Sequence, residues 1–207
     1  MLSIVAPRVS VSVLSGLQSA AVFYRVPVSV IGILVRPRST FAGLASAPRL
    51  RDGFAVVLGS GVVALVLGLI GDQISGGGGA GAVASLLLPL LFLVYWAAAG
   101  LIVDAGAGLS ARAGRWRQYL AVSGFTFIPW IAYSALSVIE AAAGSGTAAQ
   151  SAVAWLTLPL LIWFLFLTTL AVQAVFEVTA FIGLALALLP DAVLLVVLIA
   201  LLVATNV

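Results

Sequence analysis

A polytopic bundle of transmembrane helices is the fold class this sequence predicts, and three observations predict it. Hydrophobic residues make up 64% of the 207 residues and charged residues 7%, too little polar surface to coat a water-soluble globule of that size. The apolar residues gather into five long runs that lack ten-residue strand alternation. In lipid, a chain that is not a barrel must satisfy its backbone within helices. All nine basic residues are arginines, and they fall only within residues 1–53 and 104–118, where they mark the side of the membrane each loop occupies.

Residues 1–33 are mildly apolar and are broken by Pro7, Arg8, Arg25 and Pro27. No run there is long enough to span, and the stretch between Arg8 and Arg25 lacks the uninterrupted apolar core of a signal peptide. These residues are expected to form a weakly structured leader. Residues 34–53 are expected to carry a short helix in the cytoplasmic headgroup layer, capped by Ser39 or Thr40. Its apolar face, Phe41, Leu44 and Ala45, would turn toward the acyl chains, with Arg36, Arg38, Arg49 and Arg51 among anionic headgroups.

Residues 54–207 read as one domain of five spans. Each needs roughly 20 apolar residues to cross the hydrocarbon core, which places them near Phe54–Ile70, Ala82–Val103, Tyr119–Ile139, Val153–Phe176 and Thr179–Ala204. The first connection contains Gly76 to Gly79 and reads as a flexible turn. The second carries Arg112, Arg115 and Arg117, whereas the third, Glu140 to Gln150, has no basic residue. That alternation makes the N-terminus and the second connection cytoplasmic, and five spans then leave the C-terminus outside, in a multi-pass protein of the cytoplasmic membrane. Trp116 and Trp155 fall near span ends, where an indole favours the headgroup layer.

The last span is interrupted by Pro190 and Asp191. Residues 184–204 hold fourteen Leu, Ile or Val, worth about −6 kcal/mol on an insertion scale against about +3 for a central Asp, so insertion is expected despite the interruption. The proline should kink the helix; the alternative lays residues 177–189 on the cytoplasmic surface.

Chemistry is limited by what is missing. The chain has no Cys or His, and its basic residues include no Lys; the usual thiolate, imidazole and amine nucleophiles, bases and metal ligands are absent. The glycine run lacks the lysine of a phosphate-binding loop. No catalytic, cofactor or metal site is expected. A net charge of +3 confined to membrane-flanking segments points to headgroups rather than nucleic acid. Asn occurs once, at Asn206, which together with the missing Lys suggests a GC-rich, prokaryotic coding sequence.

Three polar or small-residue patterns inside the spans invite attention. Ser60, Ala64 and Gly68 recur every fourth position and would let helices approach closely. Thr169, Gln173 and Glu177 share one face of the fourth span, which must meet protein or water. Asp191 is the carboxylate expected deepest in the membrane and needs a partner; Tyr133, Ser134 or Ser137 could supply a hydrogen bond. A protonated Asp191 would hold the bundle together, and otherwise it would line an ion or proton pathway.

The order of segments also carries a likeness. Pro37-Arg-Ser-Thr-Phe, a small-residue helix ending at Pro48, Arg49-Leu-Arg-Asp-Gly-Phe and then Gly114 to Ile131 (GRWRQYLAVSGFTFIPWI) together resemble the Yip domain family, from about Val35 to the C-terminus. Gly114, Trp116 or Tyr119, and Pro129 look like the family's glycine and aromatic before the third span and its proline within it. The resemblance implies a five-span plan with the N-terminus inside. It also implies a non-catalytic role as a membrane scaffold or membrane-organising factor, related to proteins of vesicle traffic that engage Rab-type GTPases. Residues 1–33 lack the long acidic and aromatic tail of the eukaryotic members. The expected partners are the bilayer and its anionic headgroups, a soluble cytoplasmic protein, or a second copy of the chain. The alternative function is a small transporter or channel component in which Asp191 and the Thr169, Gln173, Glu177 stripe line a pathway.

Overall fold

The computed structural model describes residues 26–76, 80–109, 112–144 and 148–205. Within them the regular elements are all helical: α1 (Val26–Val35), α2 (Pro37–Ser46), α3 (Leu50–Ile74), α4 (Ala80–Gly108), α5 (Trp116–Ser123), a 3-10 turn (Gly124–Phe127), α6 (Ile128–Ala143), α7 (Ala148–Phe176) and α8 (Ala180–Thr205). Five stretches are long and apolar enough to cross a membrane: α3, α4 from Gly81, α5 through α6, α7 from Gln150, and α8. The protein is thus an integral membrane protein of multi-pass type. The helices overrun the expected span ends by up to five residues, because a backbone leaving the hydrocarbon still gains by pairing its N–H and C=O groups internally. The turn expected at Gly76 to Gly79 lies mostly outside the described residues.

Residues 26–53 differ from expectation in four ways. Residues 26–33, assigned to a weakly structured leader, belong to α1, and Ile33 is buried in the main apolar cluster with Val26 and Val30 packed against it. Helix α2 begins at Pro37, ahead of both anticipated caps, Ser39 and Thr40. Proline suits the first helical turn, where its missing N–H costs nothing, so Ser39 and Thr40 instead donate backward to the Arg36 carbonyl, at 3.1 and 2.9 Å. The stripe Phe41, Leu44 and Ala45 is indeed one face. It is buried against the protein rather than turned to acyl chains: Phe41 is fully enclosed, and α2 packs on α7 and α5. Residues 50–53 form the first turn of α3.

The third span is the centre of the bundle. Every residue from Tyr119 to Phe127 is buried, and this stretch touches α3, α4 and α7. Pro129 cannot donate to the Phe125 carbonyl, and its ring crowds that carbonyl. The helix tightens to 3-10 pitch over Gly124–Phe127 and resumes α geometry at Ile128. Close approach explains the glycines here. A Cβ on Gly53 would lie 2.6 Å from the Leu120 carbonyl, and one on Gly124 would collide with the Gly53 backbone. The α3 and third-span backbones therefore cross with no side chain between them.

Helix α8 runs unbroken through Pro190, rather than surfacing before Asp191. Its first half packs on α7 and α4, burying Gly183, Leu186 and Ala187. Residues 191–205 are exposed throughout, the condition of a helix surrounded by lipid.

Candidate functional site

Two polar regions stand out. The first gathers both arginine groups at one end of the bundle: Gln118 Nε2 donates to the Ala45 carbonyl at 2.9 Å, joining α5 to α2. Arg38 lines a cleft with Gln173 and Ala174 of α7.

At this end the final carbonyls of α7 have no intrahelical donors. Arg115 supplies one to Val175 at 2.6 Å, and Arg112 supplies another to Phe176 at 2.5 Å and to Glu177. The guanidinium groups also offset the negative end of the helix dipole. Glu177 follows with φ of 55°, a left-handed conformation that costs a residue with a Cβ on the order of 1 kcal/mol. Its carboxylate accepts from Arg115 at 2.8 Å, and that hydrogen bond with its charge holds the Glu177 carboxyl below its usual range. Asp104, near the end of α4, accepts the N–H groups of Gly114 and Arg115 at 3.0 and 2.8 Å. That contact pins the α4–α5 loop, in which Gly114 has φ of 91°.

Arg112 and Arg115, expected on a face for lipid or a partner, therefore also fasten α7 to that loop. Arg117 rests its guanidinium 5.2 Å from the centre of the Trp116 ring. Arg36, Arg38, Arg49, Arg51 and Arg117 are exposed. A carboxylate the sequence reading passed over, Asp52, is 2% exposed in the first turn of α3, with Arg51 Nε at 3.7 Å.

The second region lies halfway along the helices. Tyr95 of α4 donates its hydroxyl to Asp191 Oδ1 at 2.6 Å. None of the anticipated partners fills that role. Tyr133 packs edge-on to Trp130 with centroids 5.3 Å apart, Ser134 donates to the Trp130 carbonyl, and Ser137 donates to the Ser134 carbonyl. Tyr95 was legible only as an aromatic in an apolar run; nothing in sequence brings position 95 to position 191. The pair borders a pocket of about 550 Å³ lined by Phe92, Phe127, Trp130, Phe164 and leucines of α4, α7 and α8. The rings meet edge to face or tilted, with Phe92–Trp130 at 5.9 Å and Trp130–Phe164 at 5.8 Å.

The polar stripe does not join this pocket. Thr169 donates to the Leu165 carbonyl at 2.8 Å, and a Cβ on Gly183 would sit 2.9 Å from Gln173 Cγ. Thr169 and Gln173 thus press on α8 two turns before Asp191, and Glu177 has left the helix. Of the small residues, Ser60 and Ala64 are 2% and 3% exposed, and a Cβ on Gly68 would strike Ser85 of α4. Pro129 is buried at the start of α6. Among the described residues no cluster of three carboxylates or imidazoles could hold a metal ion.

No protein-family model, curated protein or solved structure matches the chain.

Proposed function

We propose that this membrane protein is a non-catalytic scaffold of Yip-domain type, whose arginine-bearing end lies on the cytoplasmic side and meets anionic headgroups or a soluble partner. The observation that carries the reading is the collection of exposed arginines, Arg36, Arg38, Arg49, Arg51 and Arg117 among them, drawn from both basic segments of the sequence, around an end stiffened by Arg112, Arg115, Asp104 and Glu177. A rigid cationic surface at a membrane face attracts anionic lipid by about 1 kcal/mol per arginine near the surface.

The transporter alternative draws less support, because Asp191 and the Thr169, Gln173 pair occupy different contacts on α8. Two measurements test the proposal. In bilayers containing spin-labelled phosphatidylglycerol, replacing Arg36, Arg38, Arg49 and Arg51 by Ser should reduce the immobilised anionic lipid around the protein, and raised salt should mimic the substitutions. Reconstituted protein should carry no ion or proton flux above empty liposomes. A flux abolished by Asp191→Asn would replace the scaffold with a transporter.

A further inference from the structure

We infer that the pocket bordered by Asp191 and Tyr95 is a binding site for lipophilic cations, a phosphonium, quaternary ammonium or protonated amine carrying carbon-rich groups. Its volume of about 550 Å³ falls within the range of small-molecule sites. Every lining residue lies at least seven residues inside its span, so the pocket opens sideways between helices rather than at an end of the bundle. An occupant therefore arrives through the bilayer and must dissolve in it.

The charge of that occupant follows from the lining. Asp191 is the one carboxyl group among the pocket's residues, and no arginine lines it. Tyr95 engages Oδ1, and among the described residues Oδ2 has no donor. The walls combine six leucines, which accept carbon groups, with the rings of Phe92, Tyr95, Phe127, Trp130 and Phe164, whose faces attract cations. A cation is the occupant that a carboxylate and ring faces both stabilise, and an anion gains from neither.

The depth excludes a phospholipid headgroup in its ordinary position. Asp191 is eleven residues into α8, about 17 Å along the helix, near the middle of a hydrocarbon core about 30 Å thick.

The test uses full-length protein in phosphatidylcholine nanodiscs, with empty nanodiscs as the blank, and two hydrophobic ions of matched shape and opposite charge, tetraphenylphosphonium and tetraphenylborate. Equilibrium dialysis of the labelled ions should show saturable phosphonium binding and only unsaturable partition of the borate. Asp191→Asn keeps an acceptor for Tyr95 and should weaken phosphonium binding about tenfold or more, and Trp130→Leu several-fold. Equal saturable binding of both ions, or full phosphonium affinity in Asp191→Asn with its thermal unfolding unchanged, overturns the inference. Should Asp191→Asn fail to fold, Trp130→Leu decides, since it leaves the carboxylate and its hydrogen bond in place: unchanged phosphonium affinity there is also fatal.

Discussion

At the arginine end, Asp104 takes two backbone N–H groups, Glu177 takes a guanidinium, and Arg112 and Arg115 cover the last carbonyls of α7. Halfway along the bundle, Asp191 has one phenol and borders a pocket of rings and leucines. Both regions hold carboxylates, but the first spreads each charge over several opposing dipoles at a helix terminus, where water also reaches, while the second has a single directed bond. Helix ends supply free donors and acceptors in quantity; a helix middle has none left, because its backbone is already paired. A hydroxyl placed there can still donate to a carbonyl one turn back, as Ser134 and Thr169 do, but a carboxylate needs a donor, and at Asp191 that donor comes from another helix, which makes its partner a tertiary event.

The comparison is broken most severely by disturbing what holds the two regions in one bundle. Gly53→Val inserts methyl groups where a Cβ would already lie 2.6 Å from the Leu120 carbonyl. Overpacking costs about 1–3 kcal/mol and more where, as here, backbone rather than a side chain must give way, and the variant should lose its monodisperse peak in detergent size-exclusion chromatography. Next comes Arg115→Ala, which removes the donor to Val175 and the partner of Glu177. The charge-assisted bond to Val175, discounted because Arg115 is partly exposed, contributes about 1.5 kcal/mol, and the exposed Glu177 partner adds little to it. Arg115→Lys should restore only part of the loss in thermal unfolding, since an ammonium cannot reproduce the planar fork.

Tyr95→Phe sharpens the contrast from the other side. It deletes one interhelical bond at membrane depth, worth about 0.6–1.7 kcal/mol by the measured range for such bonds, and should lower the unfolding midpoint in detergent less than Arg115→Ala does. A larger drop than Arg115→Ala would mean the middle of the bundle, rather than its end, is the better braced. The smallest effect concerns pH. Because the Glu177 carboxyl titrates lower in the folded protein than its ordinary 4.5, its contribution is present above that value and fades as pH falls through the folded pKa. The acid-side loss of thermal stability should be slightly shallower in Glu177→Gln, and salt should diminish the difference.

Much of the architecture was legible in composition alone. Five apolar runs became five long helices, and the alternation of arginine with loop number agrees with a bundle whose arginine groups share one end. The apolar face Phe41, Leu44, Ala45 was legible as a face, but what covers it was not. A period of 3.6 reports that a stripe is apolar and is silent on whether lipid or protein lies opposite, because both are equally apolar. Helix α1 was missed for a related reason: Arg25 and Pro27 break the run too early for a span, yet a ten-residue helix needs only a core to pack on, and Ile33 finds one.

The sequence by itself determined the solvent, the number of long apolar helices and the segregation of charge, since all three follow from which residues lipid tolerates and each can be read one segment at a time. Tertiary structure decided the partners: Tyr95 for Asp191, α7 carbonyls for Arg112 and Arg115, α8 for the Thr169 and Gln173 face, and a bare backbone crossing for Gly53 and Gly124. Each of these joins residues from different segments of the chain, and their meeting depends on helix rotation and tilt, which packing sets and linear spacing does not encode.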